Sequence, residues 1–247
     1  MKESIIPFIA VGFLAQMVDG CLGMAYGVSS TTFLLSLGLP PAAASAAVHT
    51  AEVFTTGVSG LSHLRFGNVD RQLIRRLLIP GVIGGILGAY VLTSIPGNVV
   101  KPVVAAYLLI MGVRILWKAI RRTGGKGGTV RHFAPLGVIG GFFDAIGGGG
   151  WGPIVTSTLV ANGHHPRFTI GSVNLTEFFV TLAEAATFFT LIGLGHWRVI
   201  VGLVIGGVVA APLAAFICRK LPTRALMIVI GALITVLSVR TILLTLP

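Results

Sequence analysis

Apolar residues occur along this chain in long and short stretches. A membrane-spanning α-helix needs about 20 apolar residues. The long stretches, each predicted to span, are residues 42–64, 73–93, 99–118, 168–191, 199–218 and 225–244. The short stretches are residues 5–18 and 28–37, and again 133–143 and 154–161. Since a glycine-rich break separates the members of each short pair, the pattern predicts two hairpins of short helices, each followed by three spans. A single broken helix in place of each hairpin is the alternative.

The pattern repeats after 125 residues, and polar residues repeat with it. Pairs related by this shift include Asp19 and Asp144, Gly27 and Gly152, Pro41 and Pro166, and Glu52 and Glu177. We therefore predict a first transmembrane repeat (1–120), a basic glycine-rich cytoplasmic linker (121–131) and a second repeat (132–247). Three spans is an odd number, so the second half should be inverted relative to the first. Repeats with interrupted helices are typical of transporters whose site lies between the halves.

Composition places the chain in a membrane. Hydrophobic residues make up 54% and charged residues only 10%, against roughly 25% charged residues in soluble domains. The fold class is therefore an all-α polytopic membrane protein. The net charge of +11 comes from basic residues in short loops, which fix orientation. This distribution argues against nucleic-acid binding and predicts that both chain ends lie outside.

The sequence contains none of the usual catalytic signatures. It has no Gly-x-Ser-x-Gly, His-Glu-x-x-His or phosphate-loop lysine, and His164-His165 is a weak metal motif. We therefore predict that the protein is not an enzyme and uses no cofactor and no metal. Cys21 and Cys218 are too few for a disulfide framework. Inert buried thiols are the simpler interpretation, and sulfur chemistry at Cys21 is the alternative.

The two glycine-rich breaks are the candidate substrate site. Glycine lets the backbone approach a ligand closely, and the first turn of a helix offers unpaired N–H groups at the positive end of its dipole. A small anion could bind there without a buried cation. Glycines and hydroxyls could instead serve helix packing. The predicted substrate-binding residues are Gly27, Ser29, Ser30, His49, Gly148, Gly149, Gly150, Trp151, Gly152, Thr156 and Asn174.

Buried acids are the candidates for proton coupling. Glu177 comes first, because Asn174, Thr181 and Glu184 share its helix face; Glu52 comes second. A polar stripe inside an apolar span must face protein or water. It could bind substrate and protons, or hold the halves together. Asp19 and Asp144 precede the breaks, where they could cap backbone N–H groups or carry protons.

Several motifs resemble the TauE/SafE sulfite exporter family. The first half contains His63-Leu-Arg-Phe-Gly-Asn-Val-Asp70, followed by Pro80-Gly81, Gly84-Gly85 and Gly88. The second half contains Gly147–Gly150 with Pro153, then Gly163, Pro166 and Gly171-Ser172. The resemblance covers nearly the whole chain. It implies a two-half membrane transporter of sulfite, organosulfonates or other small anions.

Together these features predict a secondary transporter of a small sulfur-containing anion in the bacterial inner membrane. The expected partners are that anion and membrane lipid, with a homo-oligomer possible. The alternatives are a membrane-embedded sulfur-handling enzyme that uses Cys21 and a carboxylate transporter on the same fold.

Overall fold

The computed structural model describes residues 4–120, 132–193, 195–217 and 223–245. Every regular element within these ranges is helical. The first half contains α1 (Ile6–Leu22), α2 (Tyr26–Ser36), α3 (Pro41–Arg65), α4 (Arg71–Ser94) and α5 (Gly97–Ile120). The second contains α6 (Phe133–Gly147), a π-helical turn (Gly152–Thr156) continued by α7 (Ser157–Ala161), α8 (Pro166–Ile192), α9 (Trp197–Ile217) and α10 (Thr223–Thr245). The predicted linker, 121–131, lies outside the described residues.

The predicted hairpins of short helices are present in both halves. The helices α1 and α6 end at Gly23 and Gly148, and both glycines have φ of 63°. Such left-handed glycines commonly end helices. The helices α1 and α6 also extend about one turn beyond Asp19 and Asp144. These acids were predicted to lie immediately before the breaks, but they lie in the last helical turn.

Each half contributes its first helix to the other half. The helix α1 packs along α9, and α6 packs along α4. Glycines bring the backbones together, since a Cβ on Gly84 would overlap Val138 and one on Gly206 would overlap Ile9. Small residues at helix contacts are typical of membrane proteins. The halves are therefore intertwined.

Helices that correspond under the 125-residue shift run antiparallel. Along α3 and its counterpart α8, His49 lies beside Glu184, whereas Gly60, further along α3, faces Leu175, which is earlier in α8. The α5–α10 pair is also antiparallel, because Gly112 faces Thr235 and Leu116 faces Gly231. This is the geometry expected of halves related by a two-fold axis perpendicular to the helices. Inversion across a membrane stays a prediction.

Within the described residues, five helices have the length and hydropathy of membrane spans. They are within α4, α5, α8, α9 and α10. The helix α3 was also predicted to span, and its 25 residues are long enough, but the polar side chains on its buried face lower its hydropathy. These include Ser45, His49, Glu52 and Thr56. The helix α3 packs between α8 and α9, so its polar face meets protein.

Candidate functional site

The hairpin tips are the glycine-rich turns between the paired short helices, residues 23–25 and 148–151. The two tips contact each other. The Thr31 hydroxyl donates to the Gly148 carbonyl at 2.7 Å, and the Thr156 hydroxyl donates to the Gly23 carbonyl at 3.1 Å. Thr156 corresponds to Thr31, and Gly148 to Gly23, under the 125-residue shift. Each tip is therefore held by a hydroxyl from the second helix of the opposite hairpin, and the junction has two-fold symmetry.

Glycine is required at this junction because backbone meets backbone. A Cβ on Gly27 would lie 2.6 Å from the Gly148 carbonyl oxygen, and one on Gly152 would lie 2.6 Å from that of Gly23. A Cβ on Gly149 would overlap the backbone of Gly27 and Val28. These predicted substrate-binding glycines are thus also the surface on which one tip rests against the other.

A small cavity lies between the tips. Its volume is about 10 Å³, roughly the space needed for one water molecule. The lining residues are Asp19, Ala25, Tyr26, Gly27, Val28, Glu52, Asp144, Gly149, Gly150, Gly152, Pro153 and Glu177. Most of them form pairs under the 125-residue shift, so the cavity lies on the pseudo-two-fold axis. The first turn of the second helix of each hairpin faces it.

Asp144 caps the break in the second half. Its Oδ1 accepts hydrogen bonds from the N–H groups of Gly150 at 2.6 Å and Trp151 at 2.9 Å. In the first half, Asp19 accepts from the N–H of Tyr26, the counterpart of Trp151. The capping role foreseen for both acids is therefore present. The second oxygen of Asp144, Oδ2, is buried without a hydrogen-bond donor among the described residues, which leaves it available for a further role.

Acidic side chains are concentrated around the cavity. The chain has seven Asp and Glu residues, and five of them are buried here: Asp19, Glu52, Asp144, Glu177 and Glu184. No lysine or arginine in the described part of the chain lines the cavity. Burying several unpaired carboxylates would be very costly. Bound protons or a bound cation would offset this charge.

His49 joins the two halves through their acids. Its Nε2 lies 2.9 Å from Glu184 Oε2 on α8 and 3.7 Å from Asp144 Oδ2 on α6. Its Nδ1 lies 2.8 Å from the Ser45 carbonyl oxygen. One imidazole nitrogen of His49 and one carboxylate oxygen from each of Glu184 and Asp144 lie within 4.8 Å of one another. The group can hold one shared positive charge.

Several predicted site residues lie outside the cavity lining. Ser29 donates to the Ala25 carbonyl of its own helix, whereas Ser30 Oγ and both side-chain amide atoms of Asn174 are buried without partners among the described residues. Trp151, which was predicted to wall the pocket, is absent from the lining of this cavity. Its ring packs among Leu77, Val155 and Val180, and its Nε1 donates to the Val173 carbonyl. Its role in substrate binding stays a prediction.

Glu184 lies at the centre of the group around His49 but is missing from the predicted site residues. The sequence feature that could have identified it is its spacing of seven residues from Glu177, which places both side chains on one face of α8. Its partner His49 could not be found by spacing alone. The counterparts of His49 and Glu184 in the other half are Asn174 and Ser59, so the repeat does not mark this pair. The Cys21 side chain lies outside the described part of the structure.

The fold and junction define a helical membrane protein built as an internal repeat with broken helices, the class to which secondary transporters belong. The sequence matches the family described as "Sulfite exporter TauE/SafE" over residues 8–241. The chain therefore belongs to the TauE/SafE family, and it is a multi-pass membrane transporter.

Two relatives carry transporter names. The chain is 43% identical over 251 aligned positions to "Probable membrane transporter protein YtnM" of Bacillus subtilis (strain 168), covering 97% of this chain and 83% of the relative. It is 26% identical over 189 positions to "Probable membrane transporter protein ORF9" of Sinorhizobium sp, covering 75% of this chain and 67% of the relative. No solved structure matches the chain.

Proposed function

We propose that the protein is a secondary transporter of a small sulfur-containing anion, of the sulfite or organosulfonate class, in the bacterial inner membrane. The observation that carries this proposal is the junction of the two hairpin tips. There the first turns of two helices face one cavity, and the N–H groups that Asp19 and Asp144 do not cap can donate to an anion. The name of the matched family supports a sulfur oxyanion.

The acids around the cavity indicate that protons cross the membrane together with the anion. Asp19, Glu52, Asp144 and Glu177 line the cavity and, if ionised, would repel it. Protons bound to these carboxyls remove the repulsion and reduce the charge that crosses the low-dielectric interior. Transport of the anion is therefore coupled to protons.

The cavity admits one water-sized molecule, so a sulfur oxyanion binds only after the tips separate. This fits alternating access, in which one part of the repeat moves against another. The site is then assembled from the hairpin glycines, with Ser30 and Asn174, whose side chains lack partners here, as further donors to the anion.

Binding is tested by thermal unfolding of the purified protein with sulfite, sulfate, thiosulfate, sulfonates and carboxylates. A ligand of the native state stabilises it by mass action. We expect sulfite or a sulfonate to raise the unfolding temperature and to cross sealed vesicles that contain only this protein. Stabilisation by carboxylates alone would overturn the substrate class, and chemical conversion of sulfite without flux would indicate an enzyme.

Glu177→Gln is expected to retain ligand binding and to lose the dependence of flux on a proton gradient. The amide is close in size to the carboxyl but cannot exchange a proton. Flux is measured in vesicles with and without an imposed pH difference, with the cavity-lining Glu52→Gln as a comparison. If wild-type flux never responds to the gradient, Glu177 has only a hydrogen-bonding role.

A further inference from the structure

We propose that His49, Glu184 and Asp144 form a proton-binding site beside the central cavity, distinct from Glu177. This inference deepens the proposed transport function, on which its role in coupling rests. The site lies between the halves, on α3, α8 and α6, and the side chains of all three residues are at most 1% exposed.

The tautomer of His49 is fixed by Ser45. A carbonyl oxygen accepts hydrogen bonds and cannot donate them, so the contact of 2.8 Å places a hydrogen on Nδ1. The Ser45 hydroxyl in turn donates to the Ala145 carbonyl at 2.6 Å. The ring is therefore oriented by α3 and α6, and Nε2 is the atom that gains or loses a proton.

The position of Glu184 requires a proton next to Nε2. Two lone-pair acceptors at 2.9 Å would repel each other, whereas a proton on either group makes the contact attractive, although the two atoms are not aligned as a hydrogen bond. The proton belongs either to His49, giving an ion pair, or to Glu184, giving a neutral pair. The Asp144 carboxyl is the other polar group that the described residues place beside Glu184.

Asp144 connects this pair to the cavity. One carboxyl oxygen caps the break, and the other lies 3.7 Å from Nε2. Asp144 also lines the cavity, whereas His49 and Glu184 do not. A proton can pass between the cavity and Nε2 through Asp144 once Oδ2 and Nε2 approach to hydrogen-bond distance, and the N–H bond then breaks as the O–H bond forms. The other titratable groups around the site are Glu52 on α3, Glu177 on α8, Asp19 on α1 and Tyr107 on α5.

Proton sharing is tested without any substrate, by infrared difference spectra of the reconstituted protein across a neutral-to-alkaline series. We expect one carboxyl band and one imidazole band to titrate together. Glu184→Gln removes the first and shifts the titration of the second, while His49→Gln does the reverse. His132→Gln, at an exposed histidine at the start of α6, leaves both of these bands unchanged. An imidazole titration that is unaltered in Glu184→Gln would overturn the site. A cation that stabilises wild type but not Glu184→Gln would also overturn it, because the three residues would then bind that cation and not a proton.

Coupling is tested in vesicles that contain a pH-sensitive dye. With Glu184→Gln, we expect exchange of sulfite against sulfite within about two-fold of wild type and loss of sulfite-driven proton movement. Parallel loss of exchange and proton movement would mean that Glu184 is structural. If wild type moves no sulfite, the transport proposal fails, while the infrared result still decides whether the proton site exists.

A second inference comes from an asymmetry at the two ends of the α3–α8 pair. At one end the connection between α3 and α4 closes on the start of α8. The Ser172 hydroxyl accepts from the Asp70 N–H at 2.7 Å, Arg167 Nε donates to Asn68 Oδ1, and Gly171 leaves no room for a Cβ against the Asn68 backbone. We call residues 66–70 and 167–172 the clasp.

The opposite end holds a cavity in place of the clasp. Its volume is about 220 Å³, and its lining is Ala43, Ala46, Ala47, Ile192, Gly193, Gly195, His196 and Ile200. Under the 125-residue shift, Ala46 and Ala47 correspond to Gly171 and Ser172, and Gly193 corresponds to Asn68. The cavity is thus the two-fold image of the clasp, and none of its described lining residues makes a hydrogen bond that corresponds to those of the clasp.

The open cavity points toward the proton site. Ile192, Phe188 and Glu184 follow each other at intervals of four along one face of α8. Ile192 lines the cavity, and the Phe188 ring stacks on His49 with centroids 6.0 Å apart. Phe188 therefore separates the cavity from the His49–Glu184 pair. We infer that the clasp and the cavity are the two gates, and that they exchange closed and open states during transport.

The gates are tested with Ala46→Cys as a reporter, in a background that lacks Cys21 and Cys218. A small thiol reagent should modify it from the face opposite the clasp. Arg167→Ala or Asn68→Ala weakens the clasp, so we expect labelling to fall several-fold as the cavity closes. Arg65→Ala, an exposed arginine on the clasp side, should leave the rate unchanged. Equal labelling in all variants, or an unreactive reporter in the parent, would overturn the two-gate account.

Discussion

Gly149→Ala is expected to abolish stabilisation by sulfite. Gly149 has φ of 148°, and a Cβ there would overlap the backbone of Gly27 and Val28. The methyl group therefore lies against the Val28 N–H and occupies the space between the tips that the anion needs. We expect binding about ten-fold weaker or more, which corresponds to about 1.4 kcal/mol. The measurement is the shift in unfolding temperature with sulfite.

The matched control is Gly97→Ala, at the start of α5, where the nearest atom to the added Cβ is 3.9 Å away. This variant should bind like wild type. Gly149→Ala disturbs the tip junction as well as the N–H groups, so its unliganded unfolding temperature is recorded too. Unchanged sulfite affinity in a folded Gly149→Ala protein would remove the hairpin junction from the binding site.

Asp144→Ala should have the largest effect on stability. The substitution leaves the buried N–H groups of Gly150 and Trp151 without their acceptor, and each unsatisfied buried donor costs about 1–3 kcal/mol. We expect a loss of at least about 2 kcal/mol in the free energy of unfolding, measured by denaturant in detergent.

Asp144→Asn separates the two roles of this residue. The amide oxygen can still accept both hydrogen bonds, so most of the stability should return, while the side chain can no longer exchange a proton with His49. A variant that is stable and still moves protons with sulfite would reduce Asp144 to a cap. An Asn variant as unstable as Ala would contradict the capping account.

The repeat made much of the architecture predictable. The hairpins, the long helices and the equivalent positions of Gly27 and Gly152 in the two halves all follow from residues that recur after 125 positions. The helix α3 was predicted to span from its long apolar stretch, 42–64. Its hydropathy is lower than that of the five other long helices because it buries polar side chains against α8 and α9.

The parts of the site that could not be predicted from the sequence are those whose residues differ between the two halves. His49 and Glu184 meet only because α3 and α8 run antiparallel, and their counterparts Asn174 and Ser59 are different residues. The position of Trp151 in the glycine run did not reveal that its ring packs in an apolar cluster. The gates depend on a difference between the two ends of the molecule, which identical spacing cannot reveal.

Uptake of radiolabelled sulfite into vesicles that contain only the purified protein shows whether the hairpin junction binds the transported anion. We predict saturable uptake that depends on the proton gradient with wild-type protein and Gly97→Ala. At sulfite concentrations below saturation, we predict uptake lower by about ten-fold or more with Gly149→Ala. Wild-type uptake no greater than that of empty vesicles, or equal uptake by Gly149→Ala, would contradict a sulfur-anion site at the junction of the hairpin tips.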